Sequence, residues 1–213
     1  MKLIVKDACK TIKGNIILNE INLSFESGRI YGIVGRNGSG KTMLFRAIAG
    51  LMRLDSGQVS IDGQVLHQDI EVVPNLGILL ENAGLYPEFT GYKNLELLAG
   101  INNKIGAEEI RDAIIRVGLD PKDKRIYKKY SLGMKKRITI AQAIMEKPDV
   151  ILLDEPTNGL DESGVEMIRN VIMEEKKRGA LVLIASHNKE DISYLADEVI
   201  TIRQGMIVKE GYK

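Results

Sequence analysis

One stretch combines glycines, a cation and a hydroxyl at a spacing suited to holding phosphate: Gly35-Arg36-Asn37-Gly38-Ser39-Gly40-Lys41-Thr42. It fits G-x-x-x-x-G-K-[ST]. Glycines without Cβ atoms let successive backbone N–H groups turn inward around an anion. The apolar run Ile30 to Val34 before it reads as a buried strand, and Met43 to Ala49 after it reads as a helix. The start of that helix adds free N–H groups and a partial positive charge. Lys41 is then expected to reach the outer phosphates, and the Thr42 hydroxyl to hold Mg²⁺. A plain glycine-rich turn explains neither the Lys-Thr pair nor the strand-loop-helix context.

Two further groups stand at the ends of apolar runs. Val150-Ile151-Leu152-Leu153 leads into Asp154-Glu155, and Leu181 to Ala185 leads into Ser186-His187. Ligands of open α/β sheets bind at such carboxyl ends. Asp154 is placed to share the Mg²⁺ with Thr42. Glu155 is placed to take a proton from an attacking water, and His187 to contact a transferring phosphate. Taken singly, paired acids read equally as a solvated turn, and a lone histidine as structural. Their order after the phosphate loop favours the chemical reading.

These groups need a frame. Leu3 to Val5 and Ile16 to Phe25 alternate as antiparallel strands, with Ser27-Gly28 as the turn before the phosphate-loop strand. Gln58 to Ile61 ends in the hairpin signal Asp62-Gly63. Leu76 to Leu80 is a short buried strand, followed by a loop broken at Gly84, Pro87 and Gly91. Residues 92–146 read as helical, interrupted near Asn102-Asn103 and Pro121, with Gly118 ending a helix from Ala107. Glu162 to Arg178 is a further helix. Two final strands, Glu198 to Ile202 and Met206 to Val208, flank a turn at Gln204-Gly205.

The bulk composition narrows the classes. The chain has 213 residues, is 44% hydrophobic and carries a formal net charge of +1. One domain with a subdomain is expected. No basic field points to nucleic acid. Cys9 is the single cysteine, which excludes an internal disulfide and fits a reducing compartment. It reads as a packing residue. No secretory leader is expected, since the N-terminus turns polar at Lys6-Asp7. No apolar run approaches the about 18 residues of a membrane span. The basic run from Lys122 to Arg137 reads as a solvated face, and His67 as a surface residue without metal partners. No regulatory domain is expected after the last strands.

Tyr130-Ser131-Leu132-Gly133-Met134-Lys135 resembles the signature motif of ATP-binding-cassette (ABC) ATPases. The Ser-Leu-Gly-Met form is similar to that of ATP-binding subunits of bacterial multidrug and antimicrobial-peptide exporters. On its own, Ser131 reads as a helix N-cap. Gly35 to Thr42 then matches the Walker A position, and Val150 to Glu155 the Walker B position. Asn158 to Asp161 resembles the D-loop, and Ser186-His187 the switch histidine. Leu85-Tyr86-Pro87 with Asn94-Leu95 resembles the stretch after the Q-loop. The resemblance runs from about Leu3 to Gly211.

The resemblance implies an α/β fold: a P-loop NTPase core of ABC type, an antiparallel β-subdomain, and a helical signature subdomain at roughly 84–146 within a single domain 1–213. It implies an ATPase with ATP and Mg²⁺ as ligands. Gly35 through Thr42, Met43 and Ile12 would bind ATP, with Thr42, Asp154 and Glu81 near the metal. Lys41, Glu155 and His187 would act in hydrolysis. Ser131, Leu132, Gly133 and Met134 would face ATP held by the opposite subunit of a homodimer or heterodimer, with Asp161 in the D-loop. A separate integral membrane transporter subunit would hold the cassette at the inner face of the cell membrane, docked near Tyr86 to Leu98. A soluble ABC ATPase acting on ribosomes or DNA stays as the alternative, though no second phosphate loop and no heptad run is present. Three positions depart from the family's pattern. Glu81 stands where Gln is usual, Ile12 where an adenine-stacking aromatic is usual, and Met43 where a second hydroxyl is common.

Overall fold

The computed structural model describes residues 1–80 and 84–208. Strands β1 (Lys2–Ile12) and β2 (Asn15–Glu26) form an antiparallel pair, and β4 (Ser56–Ile61) and β5 (Gln64–Val65) extend it in the order β2-β1-β4-β5. β1 runs further than the alternation of Leu3 to Val5 predicts. Its register shifts after Val5, and Asp7 sits at φ 48, so a bulge breaks the pattern while the ladder continues. Asp62 (φ 47) and Gly63 (φ 86) both adopt the left-handed conformation that a tight hairpin turn requires.

The second sheet adds β3 (Ile30–Val34), β6 (Leu76–Leu79), β7 (Val150–Asp154), β8 (Leu181–Ala185), β9 (Glu198–Arg203) and β10 (Met206–Val208). Its order is β10-β9-β3-β8-β7-β6, with every pair parallel except the β9–β10 hairpin. The central strands are apolar on both faces, as a sheet covered on both sides must be. Ile30, Ile151, Leu153, Val182 and Ile184 join one core. Tyr31, Ile33, Val150, Leu152 and Leu183 join the other. The antiparallel sheet and helix α1 (Lys41–Ile48) complete the second core.

Helices cover the first face. α2 (Gly91–Asn102), α3 (Ala107–Arg116) and α4 (Leu132–Ile144) lie between β6 and β7 in the chain. α5 (Glu162–Lys177) and α6 (Lys189–Leu195) follow β7 and β8. Gly91, read from sequence as a breaker, is instead the first residue of α2, because the Thr90 hydroxyl accepts a hydrogen bond from the Lys93 N–H and caps the helix. α4 lies tight on β6. A Cβ on Gly77 would stand 1.9 Å from the Ala143 carbonyl oxygen, so only glycine admits this approach.

One carboxylate anchors the phosphate-loop strand. Asp197 accepts from the Ile30 N–H at 2.8 Å and from the Lys176 ammonium. Burial pushes its pKa up, but the bond from Lys176 and the Ile30 amide outweigh it and hold the group below the usual carboxylate range. A depressed folded pKa stabilises the fold above the unfolded value of about 3.9, and that contribution is lost as pH falls through the folded value. Asp197→Ala is therefore expected to cost about 1–2 kcal/mol at neutral pH, or roughly 2–8 °C in melting temperature. The gap to wild type should narrow on acidification below about pH 4. Melting curves across that range check both parts.

Candidate functional site

The carboxyl ends of β3, β8 and β7 stand side by side, and each delivers a polar group. β3 ends in the phosphate loop. Gly40 holds φ 110 there, and a Cβ on it would approach the Ile17 carbonyl oxygen of β2 to 2.9 Å. The antiparallel sheet thus supports the loop from below, and the Gly205 N–H in the β9–β10 turn donates to the Ser39 carbonyl at 3.0 Å. Arg36, Asn37 and Gly38 are exposed, whereas Ser39, Gly40 and Lys41 are buried. The Lys41 side chain folds back over the loop and donates to the carbonyls of Gly35 at 2.7 Å and Arg36 at 3.3 Å. The Ser39 Oγ is buried and has no hydrogen-bond partner. A hydroxyl left in this way beside an ammonium and a helix start is suited to an anionic oxygen.

Thr42 Oγ1 donates to Asp154 Oδ2 at 2.5 Å. Asp154 is 5% exposed at the end of a wholly buried strand. The pair is a hydroxyl and a carboxylate, both hard oxygen donors, and the donor set fits Mg²⁺ bound through one or two protein oxygens with the remainder from phosphate and water. Among the described residues no group of three or more His, Cys, Asp and Glu could form an all-protein metal cage. Glu81 lies outside the described residues.

Glu155 leaves the sheet at φ 50, a left-handed conformation rare for a residue with a Cβ. Its N–H stays in the ladder through the Ala185 carbonyl at 2.8 Å. Its carboxylate turns to the end of β8. Oε1 accepts from the His187 N–H at 3.1 Å and lies 2.8 Å from His187 Nδ1, and Oε2 is 3.4 Å from Ser186 Oγ. Strain of this kind, held at the edge of a phosphate loop, points to a group whose direction matters.

The signature stretch starts α4. Ser131 Oγ accepts from the Met134 N–H at 3.2 Å, so it caps the helix, while Leu132 is 69% exposed. Leu132 packs on Gly159: a Cβ there would lie 2.9 Å from Leu132 Cδ2. Gly133 faces the Leu160 side chain in the same way. The signature start and the D-loop stretch are therefore in contact within one chain. Asp161 caps α5 by accepting from the Gly164 N–H at 3.2 Å. Met43 is half-buried on α1, and Ile12 is half-buried at the end of β1, on the hairpin whose other arm reaches Gly40.

A family model described as ABC transporter matches residues 18–158. The chain belongs to the ABC transporter family. The ATP-binding protein YybJ of Bacillus subtilis, itself uncharacterized, is 45% identical over 95% of this chain and 93% of its own length. The lantibiotic transport ATP-binding protein SrtF of Streptococcus pyogenes is 32% identical over 97% of this chain and 89% of its own length. Among solved structures, the ATP-binding cassette MJ0796, a dimer in a post-hydrolysis state with ADP and Pi, matches with a TM-score of 0.88. It is 21% identical over 99% of this chain and 100% of that one, a likeness that speaks for the fold. The ABC-type core, antiparallel sheet and helical arm expected from the resemblance are those of this cassette.

Other sequence expectations meet the structure unevenly. Arg125 of the basic run is engaged with Asp123 and lies over the Tyr130 ring, and Lys135 lies over Tyr127. His67, expected at the surface, is half-buried with Nδ1 3.4 Å from Glu71 Oε2, and its backbone is left-handed at φ 64. The Cys9 sulfur accepts from the Glu20 N–H, in keeping with packing. Thr157 and Asp191, both buried beside the Glu155–His187 pair, went unnoticed in the sequence. The available signal was an acid four positions after the histidine, where Asn188 caps a short helix.

The buried Lys41 ammonium generates a direct expectation for the cassette. Lys41→Ala removes a charge-assisted contact worth about 1.5–3 kcal/mol, or roughly ten- to hundredfold in MgATP affinity. Binding of labelled nucleotide and hydrolysis should both fall. Unchanged binding together with unchanged turnover would remove Lys41 from the site.

Proposed function

We propose that this cassette is the ATP-hydrolysing subunit of an exporter, driving a separate membrane protein through ATP-dependent dimerisation. The observation that carries it is the meeting of Thr42 with Asp154 beside the Glu155–His187 pair, at the mouth of a loop built for phosphate. Gly35 to Thr42 bind the phosphates through backbone N–H groups and the Lys41 ammonium, with Met43 behind them and Ile12 packing on the base. Thr42 and Asp154 hold Mg²⁺, with Glu81 as a third oxygen donor. When bound, Mg²⁺ neutralises charge on the β- and γ-phosphates. Glu155 orients and deprotonates the attacking water. His187, on the same carboxylate, is placed to donate to the transferring phosphate. Ser131, Leu132, Gly133 and Met134 meet ATP on the opposite subunit, and Asp161 lies at that junction.

No helix among the described residues is long and apolar enough to cross a membrane. Membrane attachment therefore rests on a partner in this reading. The segment 85–101 is suited to that role. Tyr86 and Phe89 are exposed with rings 5.6 Å apart, and Leu97 and Ile101 are exposed on α2. Apolar exposure of this kind marks a protein contact. The buried Asn94 side chain holds the loop rigid: Oδ1 accepts from the Tyr86 N–H, and Nδ2 donates to the Tyr86 and Thr90 carbonyls, each at 3.0 Å. The membrane partner, not this chain, selects the cargo in this reading. Affinity capture from solubilised membranes tests the assignment. Recovery of a multispanning protein supports it; recovery of ribosomes or DNA instead would refute it.

The base is tested by comparing two carboxylates. Glu155→Gln keeps the shape but cannot accept the proton, and it removes a negative charge beside a polyanion. It should bind MgATP at least as well as wild type, accumulate as a closed dimer and lose about two to four orders of magnitude in single-turnover rate. Glu81→Gln should retain most of its rate. The reverse ranking would transfer the role of base to Glu81.

A further inference from the structure

Glu155 and His187 each stand at the point where the chain leaves a strand. A 2.8 Å contact between them requires both exits to be held to fractions of an ångström. Upstream, the β7–β8 ladder holds them, with Asp154 paired to Ala185. Downstream, the first side-chain anchor after Glu155 is Thr157, whose hydroxyl donates to Asp191 Oδ2. Asp191 belongs to α6, the helix that follows His187. One carboxylate thus joins the two exits.

Asp191 is fully buried at 0% exposure. An unpaired carboxylate there would be costly. It is matched from a third element: Arg169 of α5 donates through Nε at 2.8 Å and approaches through Nη2 at 2.5 Å. α5 begins at Glu162 and is capped by Asp161, so the helix that carries Arg169 starts from the D-loop stretch. α6 is itself seated on the phosphate-loop strand. A Cβ on Gly32 of β3 would lie 3.0 Å from Ile192 Cδ1 and 3.1 Å from Ala196 Cβ, so the helix sits as close as glycine allows. Arg169 is additionally steadied by the Tyr194 ring at 5.3 Å.

We propose that Asp191, bridging Thr157 and Arg169, is a positioning residue that fixes Glu155 against His187 for hydrolysis. The inference rests on the reading of Glu155 as the base. It adds that the left-handed conformation of Glu155 persists because the following turn is fastened to a seated helix. Release of Thr157 would let Glu155 relax toward ordinary backbone geometry and draw its carboxylate away from the ring. Phosphate binding, which uses the loop after β3 and the Lys41 side chain on α1, would stay as it is.

The test uses the full chain under dimer-forming conditions, with hydrolysis, MgATP binding and melting measured in parallel. Thr157→Val keeps the volume and removes the hydroxyl; Thr157→Ser restores it. Misplacement of a reacting group by about 1 Å costs on the order of a hundredfold. Thr157→Val should therefore lower kcat by about ten- to a hundredfold with KM for MgATP changed less than about twofold. Thr157→Ser should recover most of that rate. Asp191→Asn should behave as Thr157→Val if it folds, and the Thr157 pair decides the matter if it does not. Wild-type kcat in Thr157→Val overturns the proposal. So does an equal loss in the Val and Ser variants that tracks melting temperature, since that is a structural role alone. Failure of the underlying reading looks different: wild-type protein would then turn over MgATP no faster than Glu155→Gln.

Discussion

The Thr42–Asp154 hydrogen bond spans 112 positions of sequence and closes at 2.5 Å. Nothing local can produce it. It needs β3 and β7 to lie one strand apart, which the insertion of β8 between them provides. It also needs the ladder in register, so that Asp154 ends level with Ala185 and the Gly32–Ile33 end of β3 lies level with Ile184–Ala185. A slip of one residue would turn Asp154 into the apolar core and Leu153 toward the phosphate loop. The near-continuous apolar character of these strands serves that alignment, because both faces are buried and each has its own core to satisfy.

The site is a concentration of charge at the edge of that apolar sheet. Lys41 is only 7% exposed, and its ammonium is met by carbonyl oxygens rather than by a carboxylate. Those carbonyls satisfy its hydrogen bonds but do not neutralise it. The positive charge is left to an anion, and the start of α1 adds to the same field. The opposite sign collects across the cleft in Asp154 and Glu155. A single hydroxyl, that of Thr42, stands between the two signs.

The parts legible in the sequence were those set by local rules. The phosphate loop, the two strand-end motifs and the Asp62-Gly63 turn each carry their own chemistry within a few residues. β3, β7 and β8 were marked by length and β-branched runs. β1 was cut short because a bulge at Asp7 disrupts alternation without ending the ladder. Gly91 was misread because a capped helix tolerates glycine in its first turn. α6 escaped because its seven residues are too few for a clear period. Asp191 escaped for a deeper reason: its partners Thr157 and Arg169 come from separate segments, and only packing brings them together.

The helical arm is fastened to the sheet at both ends of α4, and the two fastenings differ in kind. Near the signature, the contacts are light: Leu132 on Gly159 and Gly133 on Leu160. Far from it, they are heavy. Arg116 of α3 donates to Glu174 and to the buried Glu175 of α5, Arg178 closes on the same Glu175, and its guanidinium also reaches the Pro148 carbonyl just before β7. Gly77 locks α4 against β6 close to that end. Loop 85–90, pinned by Asn94 and hydrogen-bonded to residues 127–128, belongs to the signature end of that arm. Tyr86 and Phe89 are thereby tied through residues 127–128 to the stretch that leads into Ser131, while Asp154 stays in the ladder opposite Ala185.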